Sequence, residues 1–229
     1  MALTLAIDRQ AIVRDVTKGE QLPAYAFIPF GVPETDGGDF RKTGGDFFKE
    51  DLEQARKLLA DAGYPDGQGF PVVSILYNNN DQHKAIAEAI QAMWKKNLNI
   101  NISMRNEEWQ SYLNDMQRIN YDIARAGWSP DYMDAMTFAD MFVTDGGNNL
   151  TGWSNKEYDR LIEAAKSTDA GNPKARVEDM HKSEKILMDE MPIMPIYFYT
   201  QPILIKSNLK DVIIPPFGLE AEFKWAHVE

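Results

Sequence analysis

Two strand-like runs separated by one helical stripe constrain this chain more than anything else in it. Val72-Val73-Ser74-Ile75-Leu76-Tyr77 is rich in β-branched and aromatic residues and is bounded by Pro71 and three asparagines, which predicts a strand. Ile100-Asn101-Ile102-Ser103-Met104 alternates apolar and polar residues, the period of a second strand. Between them Ile86, Ala89, Ile90, Met93 and Trp94 recur at helical spacing, behind Asn80 or Asp81 as a cap. Strands joined by a crossover helix pair in parallel, with the helix lying on one face of the sheet. The alternation continues with a helix over 107–117 (Trp109, Tyr112, Leu113, Met116) and a strand candidate from Tyr121 to Trp128. The fold class predicted is α/β, with a central, mostly parallel sheet flanked by helices.

The flanking segments are read the same way. Leu5, Ile12 and Val16 share one helical face, with Gly19 as the stop. Residues 20–48 carry three prolines, five glycines and aromatics that favour burial, so they predict a long ordered loop. A helix over 49–62 buries Leu52, Ala55, Leu58, Leu59 and Ala62, with Gly63 as its left-handed cap and Pro65 beyond. Two more helices are expected over 155–166 and from Pro173 to Glu190, the stretch from Glu184 onward being read as a solvated face. Strands are expected over 193–199 and 203–205, and the tail from Pro215-Pro216-Phe217-Gly218 to Glu229 has no strong period. The chain opens directly in a helical pattern, without the charged-then-apolar layout of a signal peptide, which predicts a piece of something longer.

Composition narrows function mainly by exclusion. Lys and Arg number 24 against 35 Asp and Glu, a net charge of −11. Such a chain repels phosphate backbones and anionic lipid heads, so nucleic acid is not an expected partner. The absence of cysteine excludes a thiol nucleophile, disulfides and Cys-ligated metals. With only His83, His181 and His227, no H-E-x-x-H exists. No P-loop, G-x-G-x-x-G, G-x-S-x-G or EF-hand spacing occurs either. No cofactor or metal site is therefore expected. A hydrolase using paired carboxylates remains an alternative, since a carboxylate pair across a cleft leaves no spacing signature.

The densest run of unusual residues is Arg125-Ala126-Gly127-Trp128-Ser129-Pro130-Asp131-Tyr132-Met133-Asp134. It follows a predicted strand, and ligands of open α/β sheets bind beyond the carboxyl ends of strands. Gly127 permits close approach of a ligand backbone, Trp128 offers a broad apolar face, and Asp131 suits an ammonium group. Plain structural readings stand beside these. Asp131 can be a turn residue, Trp109 and Trp128 core anchors, Arg125 a neutraliser of Asp122 or Asp131, and His83 a solvated residue of a helix start.

At these residues the sequence resembles the peptide-type solute-binding proteins of bacterial ABC importers, the oligopeptide- and dipeptide-binding family. The resemblance runs through Ala6-Ile7-Asp8-Arg9 with Ile12, then Ala55 to Pro65, then Gly127-Trp128 with Asp131-Tyr132. It continues through Asn149, Asn155, Tyr158-Asp159 and Met194-Pro195-Ile196-Tyr197, in the family's order. The oligopeptide-binding branch is the more similar, on Asn79 to Lys84, Glu108-Trp109 and Asp122 to Trp128.

The resemblance implies a type II periplasmic-binding-protein-like lobe over residues 1–202. Residues 203–229 would be a terminal segment that in the family returns to the first lobe, here a missing partner. It implies a non-enzymatic, extracytoplasmic substrate-binding component, periplasmic or lipid-anchored, that hands oligopeptides to the membrane subunits of an ABC permease. Asp131 would hold the peptide ammonium, and the backbone of Gly127–Ser129 would pair with the peptide as an added strand. Trp109, Trp128 and Arg125 would line pockets, His83 would lie near the peptide carboxylate, and Tyr199 near the hinge face. Met116 stands where enterobacterial members carry an arginine, and Pro130 removes a backbone donor. Nickel complexes, haem, glutathione or oligosaccharides, which related receptors bind, are the alternative ligands.

Overall fold

A computed structural model of the chain describes residues 1–35, 37–215 and 221–229. In chain order the elements begin with α1 (Ala2–Leu5), α2 (Arg9–Ala11) and a π-helical turn (Ile12–Thr17). Next come β1 (Leu22–Pro23), α3 (Phe40–Gly44), α4 (Leu52–Asp61), β2 (Val73–Asn78), α5 (Asp81–Leu98), β3 (Ile102–Glu107) and α6 (Trp109–Gln117). After β4 (Ile123–Ala124) follow α7 (Met136–Ala139), α8 (Lys156–Lys166), α9 (Pro173–Glu190), β5 (Tyr197–Phe198), β6 (Leu209–Lys210) and β7 (His227–Val228). Among the described residues no helix is long and apolar enough to cross a membrane.

The expected parallel sheet is present, in the order β3-β2-β4. β2 runs parallel to β3 from Val73↔Ile102 to Asn78↔Glu107, and parallel to β4 through Ile75↔Ile123 and Leu76↔Ala124. Strand alternation sends Ile75 and Tyr77 into a core with Ile86, Ile90 and Trp94 of α5 and Leu59 of α4. Leu76 points the other way, onto Tyr112 and Met116 of α6. Helices therefore cover both faces, as parallel strands require. Trp94 is fully buried, and its indole N–H donates to the Leu3 carbonyl at 2.8 Å.

The caps set the helix starts. Asp51, Asn80, Glu108, Asn155 and Asn172 each accept a backbone N–H of the first turn of α4, α5, α6, α8 and α9. The single opening helix expected up to Gly19 is instead broken at Asp8, whose side chain accepts from Ala11 N at 2.8 Å and restarts the helix. The break lets Arg9 turn inward. Its guanidinium is fully buried, donates to the carbonyls of Pro195, Thr4 and Ile7, and lies 4.7 Å from the Phe48 ring centre. Burial pulls its pKa down to about 10, against the opposing pull of Glu50.

A second core is helical, formed by α7, α8 and α9 with Ile28, Val32 and Phe40 from the 20–48 segment. Here one expectation fails: Glu184 does not belong to a solvated face. It is buried, paired with Arg41 at 2.6 Å, and accepts the N–H groups of Phe27 and Ile28 at 3.1 and 2.8 Å. Glu184 is buried because the second core needs an acceptor for the loop backbone that crosses α9.

The expected strands shorten where partners are lacking. The 121–128 run pairs only through β4 and one further bond, Arg125 N to Leu76 O at 2.8 Å, before Gly127–Ser129 leave the sheet. Of 193–199 only β5 is laddered, antiparallel to β1 and apart from the parallel sheet. Residues 203–205 form no strand, and Leu204 is fully exposed. In the tail, β6 pairs with β7 and Ile213 bridges Glu222. Pro216-Phe217-Gly218, in the stretch expected to lack a period, lie outside the described residues.

Candidate functional site

Three parallel strands end on the same side of the sheet, and the residues singled out from the sequence follow those ends. His83 lies in the first turn of α5, just after β2; Trp109 opens α6, just after β3; Arg125, Gly127, Trp128 and Ser129 follow β4. Tyr199 arrives from the end of β5. Arg125, Gly127, Trp128, Ser129 and Tyr199 line one recess of about 180 Å³. A larger hollow of about 300 Å³, lined by Arg56, Asp66 and Asn97 among others, sits by the far end of α5, away from these strand ends.

Arg125 organises the recess. Its guanidinium donates to the Tyr199 hydroxyl, and its carbonyl accepts from the Tyr112 hydroxyl at 2.6 Å. Tyr112 also stacks on Trp109, ring centres 5.4 Å apart at 22°. Tyr197 packs edge-on against Tyr199 at 5.0 Å. Burial raises the phenol pKa of both Tyr112 and Tyr197, so these rings stay neutral beside the guanidinium. Arg9, Arg41, Arg105 and Arg176 each pair with a carboxylate. Arg125, half-buried, has no carboxylate partner among the described residues and neutralises neither Asp122 nor Asp131. Asp122 instead accepts from Ser74.

His83 is part of the same electrostatic unit. Its Nδ1 lies 2.8 Å from the Asn78 side-chain oxygen at the end of β2. Burial, then the Arg125 charge, push its pKa down to about 4, only partly offset by hydrogen bonding to the Asn78 backbone. Gly127 explains how closely Tyr199 approaches: a Cβ there would lie 3.2 Å from Tyr199 Cε2 and 3.3 Å from its hydroxyl. Trp128 is half-buried against the helical core, and its indole N–H is buried without a partner among the described residues.

Asp131 stands apart from the recess lining. It is exposed, its backbone N–H donates to Thr137 Oγ1 at 3.0 Å, and no hydrogen bond or ion pair among the described residues engages its carboxylate. The neighbouring Asp134 is the one consumed by a guanidinium, Arg176, at 2.8 and 2.9 Å. Burial works to raise the Asp134 pKa, and the Arg176 bonds outweigh it. Asn78 and Tyr112 were not among the site residues read from the sequence. In the sequence Asn78 marks a strand boundary and Tyr112 belongs to a helical stripe; the spacing of Tyr112 three residues after Trp109 is the signal available for the latter.

Comparison with known proteins identifies the family of the chain. The family described as bacterial extracellular solute-binding proteins, family 5 Middle, matches residues 1–150. The oligopeptide-binding protein OppA of Bacillus subtilis (strain 168) is 40% identical over 232 residues, covering 99% of this chain and 41% of that protein. The dipeptide-binding protein DppE of the same organism is 37% identical over 226 residues, covering 98% and 41%. Among solved structures, Listeria monocytogenes OppA bound to peptide superposes with a TM-score of 0.86 at 30% identity, covering 99% of this chain and 44% of that one. The chain spans about two fifths of the length of these relatives.

Proposed function

The chain belongs to the family 5 bacterial extracellular solute-binding proteins, and from that premise we propose that it forms one ligand-holding lobe of an oligopeptide receptor. The receptor binds oligopeptides outside the cytoplasmic membrane and delivers them to an ABC permease. It makes and breaks no covalent bond. The observation that carries this reading is a guanidinium and a carboxylate, Arg125 and Asp131, both without an ion-pair partner among the described residues and both in the stretch that follows β4. In a chain where buried and half-buried arginines are otherwise matched to acids, two opposite charges left open suit a zwitterion. A peptide is one, with its ammonium toward Asp131 and its carboxylate toward Arg125 and His83.

Backbone pairing with Gly127–Ser129 supplies affinity that does not depend on side chains. Gly127 and Ser129 are exposed, and this stretch has left the ladder. Trp109, Trp128 and Tyr199 supply apolar walls. Residues 203–229 pack on a second lobe; the exposure of Leu204, Phe223 and Trp225 supports this, since large apolar side chains left in water favour a partner surface. Closure of two lobes on the ligand shifts an open–closed equilibrium. One lobe holds only part of the contacts, so this chain alone binds more weakly than micromolar, and calorimetry giving a tripeptide Kd at or below 1 µM (about −8 kcal/mol) contradicts the reading.

The ammonium role is tested in the two-lobed receptor with Asp131→Asn. Affinity for free-amine peptides falls about tenfold or more, as for loss of a charge-assisted bond, while N-acetylated peptides change little. Equal losses for both remove Asp131 from that role.

A further inference from the structure

We propose that Arg9, a buried guanidinium outside the recess, is a positioning residue for it. Together with Thr200 it suspends residues 195–200 as a strap, and so sets where Tyr199 stands against Arg125 and Gly127. The proposal deepens the peptide reading above and rests on it for the claim that the recess holds ligand.

The recess has two walls with different supports. One wall, Arg125 to Ser129, continues from β4 and takes its place from the parallel sheet, through Arg125 N to Leu76 O at 2.8 Å. The other wall is Tyr199, which follows β5, and β5 pairs with β1 in a ladder apart from that sheet. This ladder has two residue pairs, Leu22↔Phe198 and Pro23↔Tyr197, extended by Ala24 N to Ile196 O at 3.1 Å. It joins the strap to β1, whose Leu22 is exposed, so the two move together and neither locates the other. Met194, Ile196 and Tyr197 pack on the first core. Apolar contact is non-directional, however, and does not fix how far the strap slides along that core.

Directional bonds at the two ends of the strap do fix it. At one end the Pro195 carbonyl accepts from Arg9 Nε at 2.8 Å. Nη1 of the same guanidinium donates to Thr4 O at 3.0 Å and to Ile7 O at 3.1 Å, in and just after α1. The α1 turn is itself pinned to the crossover helix α5, since the Trp94 indole donates to Leu3 O at 2.8 Å and the Asn97 amide to Ala6 O at 2.9 Å. One planar fork thus carries the position of α5, and of the sheet beneath it, across to β5. At the other end the Thr200 hydroxyl donates to the Gly19 carbonyl. Tyr199 stands between, with its hydroxyl on the Arg125 guanidinium and its ring against Gly127. The circuit closes on the sheet from which it started.

Plain packing does not explain a guanidinium at this place. Arg9 is fully buried, and an apolar side chain of similar volume fills such a space without the cost of drying a charge. What an apolar side chain lacks is the set of donors that joins the carbonyls of α1 to that of Pro195.

The readout is the Gly127 amide in the NMR spectrum of this chain, because an aromatic ring that near shifts the signal. Tyr199→Leu removes the ring and marks the shift its loss causes. Arg9→Lys keeps the buried charge without the fork, and Thr200→Val removes the bond at the other end. Both should move the Gly127 signal toward its Tyr199→Leu place, and neither should move it further when combined with Tyr199→Leu. Leu98→Ala, which opens the core at the far end of α5, should leave the signal where it is although stability falls. In the two-lobed receptor Arg9→Lys should weaken Ala-Ala-Ala about fivefold or more, the loss expected for one hydrogen bond, with no added loss in the Tyr199→Leu background. A Gly127 signal unmoved in the folded variants overturns the proposal; if Arg9→Lys does not fold, Thr200→Val decides it alone. Losses that multiply in the double variant, or an affinity unchanged while Gly127 moves, overturn the link from strap to ligand. A parent receptor that does not bind Ala-Ala-Ala overturns the peptide reading instead, and the Gly127 signal still decides what places Tyr199.

Discussion

The Arg41–Glu184 pair offers a sharp test of how the second core is held. Arg41→Met removes the guanidinium and leaves Glu184 in a site that is almost wholly closed to water. Breaking a buried pair from one side costs about 3–5 kcal/mol, because the remaining charge is stranded. The lower half of that range is expected here, since Glu184 Oε1 keeps the N–H groups of Phe27 and Ile28. Arg41→Met with Glu184→Gln removes both charges, yet the amide oxygen still accepts from those two N–H groups. Most of the loss should return, leaving a deficit of about 1 kcal/mol for altered packing and one changed hydrogen bond.

The pH dependence separates the two variants. Burial raises the Glu184 pKa above its ordinary 4.5 even with Arg41 opposing it, and removing Arg41 raises it further. A carboxyl raised in the folded state contributes stability that is present below the unfolded value and lost as pH rises through the folded one. The Arg41→Met deficit should therefore shrink as pH falls from 7.5 toward 5, while the double variant, which has no carboxyl at 184, shows no such recovery. Urea unfolding followed by far-UV circular dichroism gives these free energies. A double variant no more stable than Arg41→Met, or a single-variant deficit independent of pH, refutes the stranded-charge argument.

Other variants probe separate parts of the molecule. Ile119 holds a left-handed backbone, φ +52°, at the end of α6, a costly conformation for a β-branched residue. Its side chain is 44% exposed, so Ile119→Asn should gain about 1 kcal/mol in urea unfolding; any loss refutes the assignment of strain. Gly127→Ala places a Cβ 3.2 Å from Tyr199 Cε2 and 3.4 Å from Arg125 Nη2. Because Tyr199 is half-exposed and can yield, the melting temperature should hold while peptide binding by the two-lobed receptor falls; unchanged affinity shows that the recess geometry is not needed. Asp8→Ala removes the cap that restarts the helix for Arg9 and should cost about 1 kcal/mol. An unaffected unfolding midpoint in that variant discounts the cap.

The parallel sheet was readable because its information is local. Val73, Ile75 and Tyr77 alternate with Ser74 and Leu76, the crossover stripe ends on Trp94, and Asn80, Asn155 and Pro173 mark helix starts at or beside the observed ones. The strand lengths were not readable, because a strand ends where its partner ends. Tyr121 to Trp128 has strand chemistry throughout, yet two residues are laddered, since β2 offers β4 only Ile75 and Leu76. The same limit hid Glu184 and Arg9. A charged residue in a helical stripe looks solvated unless the segment that will cross it, 157 residues away for Phe27 and 186 for Pro195, is already known to lie there.

The site was legible in part for a related reason. Parallel topology gathers the carboxyl ends of β2, β3 and β4, so His83, Trp109 and Arg125 converge although they are far apart in the chain. What the sequence lacks is the pairing state of each charge. Asp131 and Asp134 are equivalent on paper, and only the position of Arg176 on α9 makes one a spent ion pair and leaves the other open. Arg125 differs from Arg41 in the same way, with no acid opposite it among the described residues. The chemistry of the recess is thus set by which charges the fold declines to match, a property of tertiary contacts that begins where sequence periodicity stops.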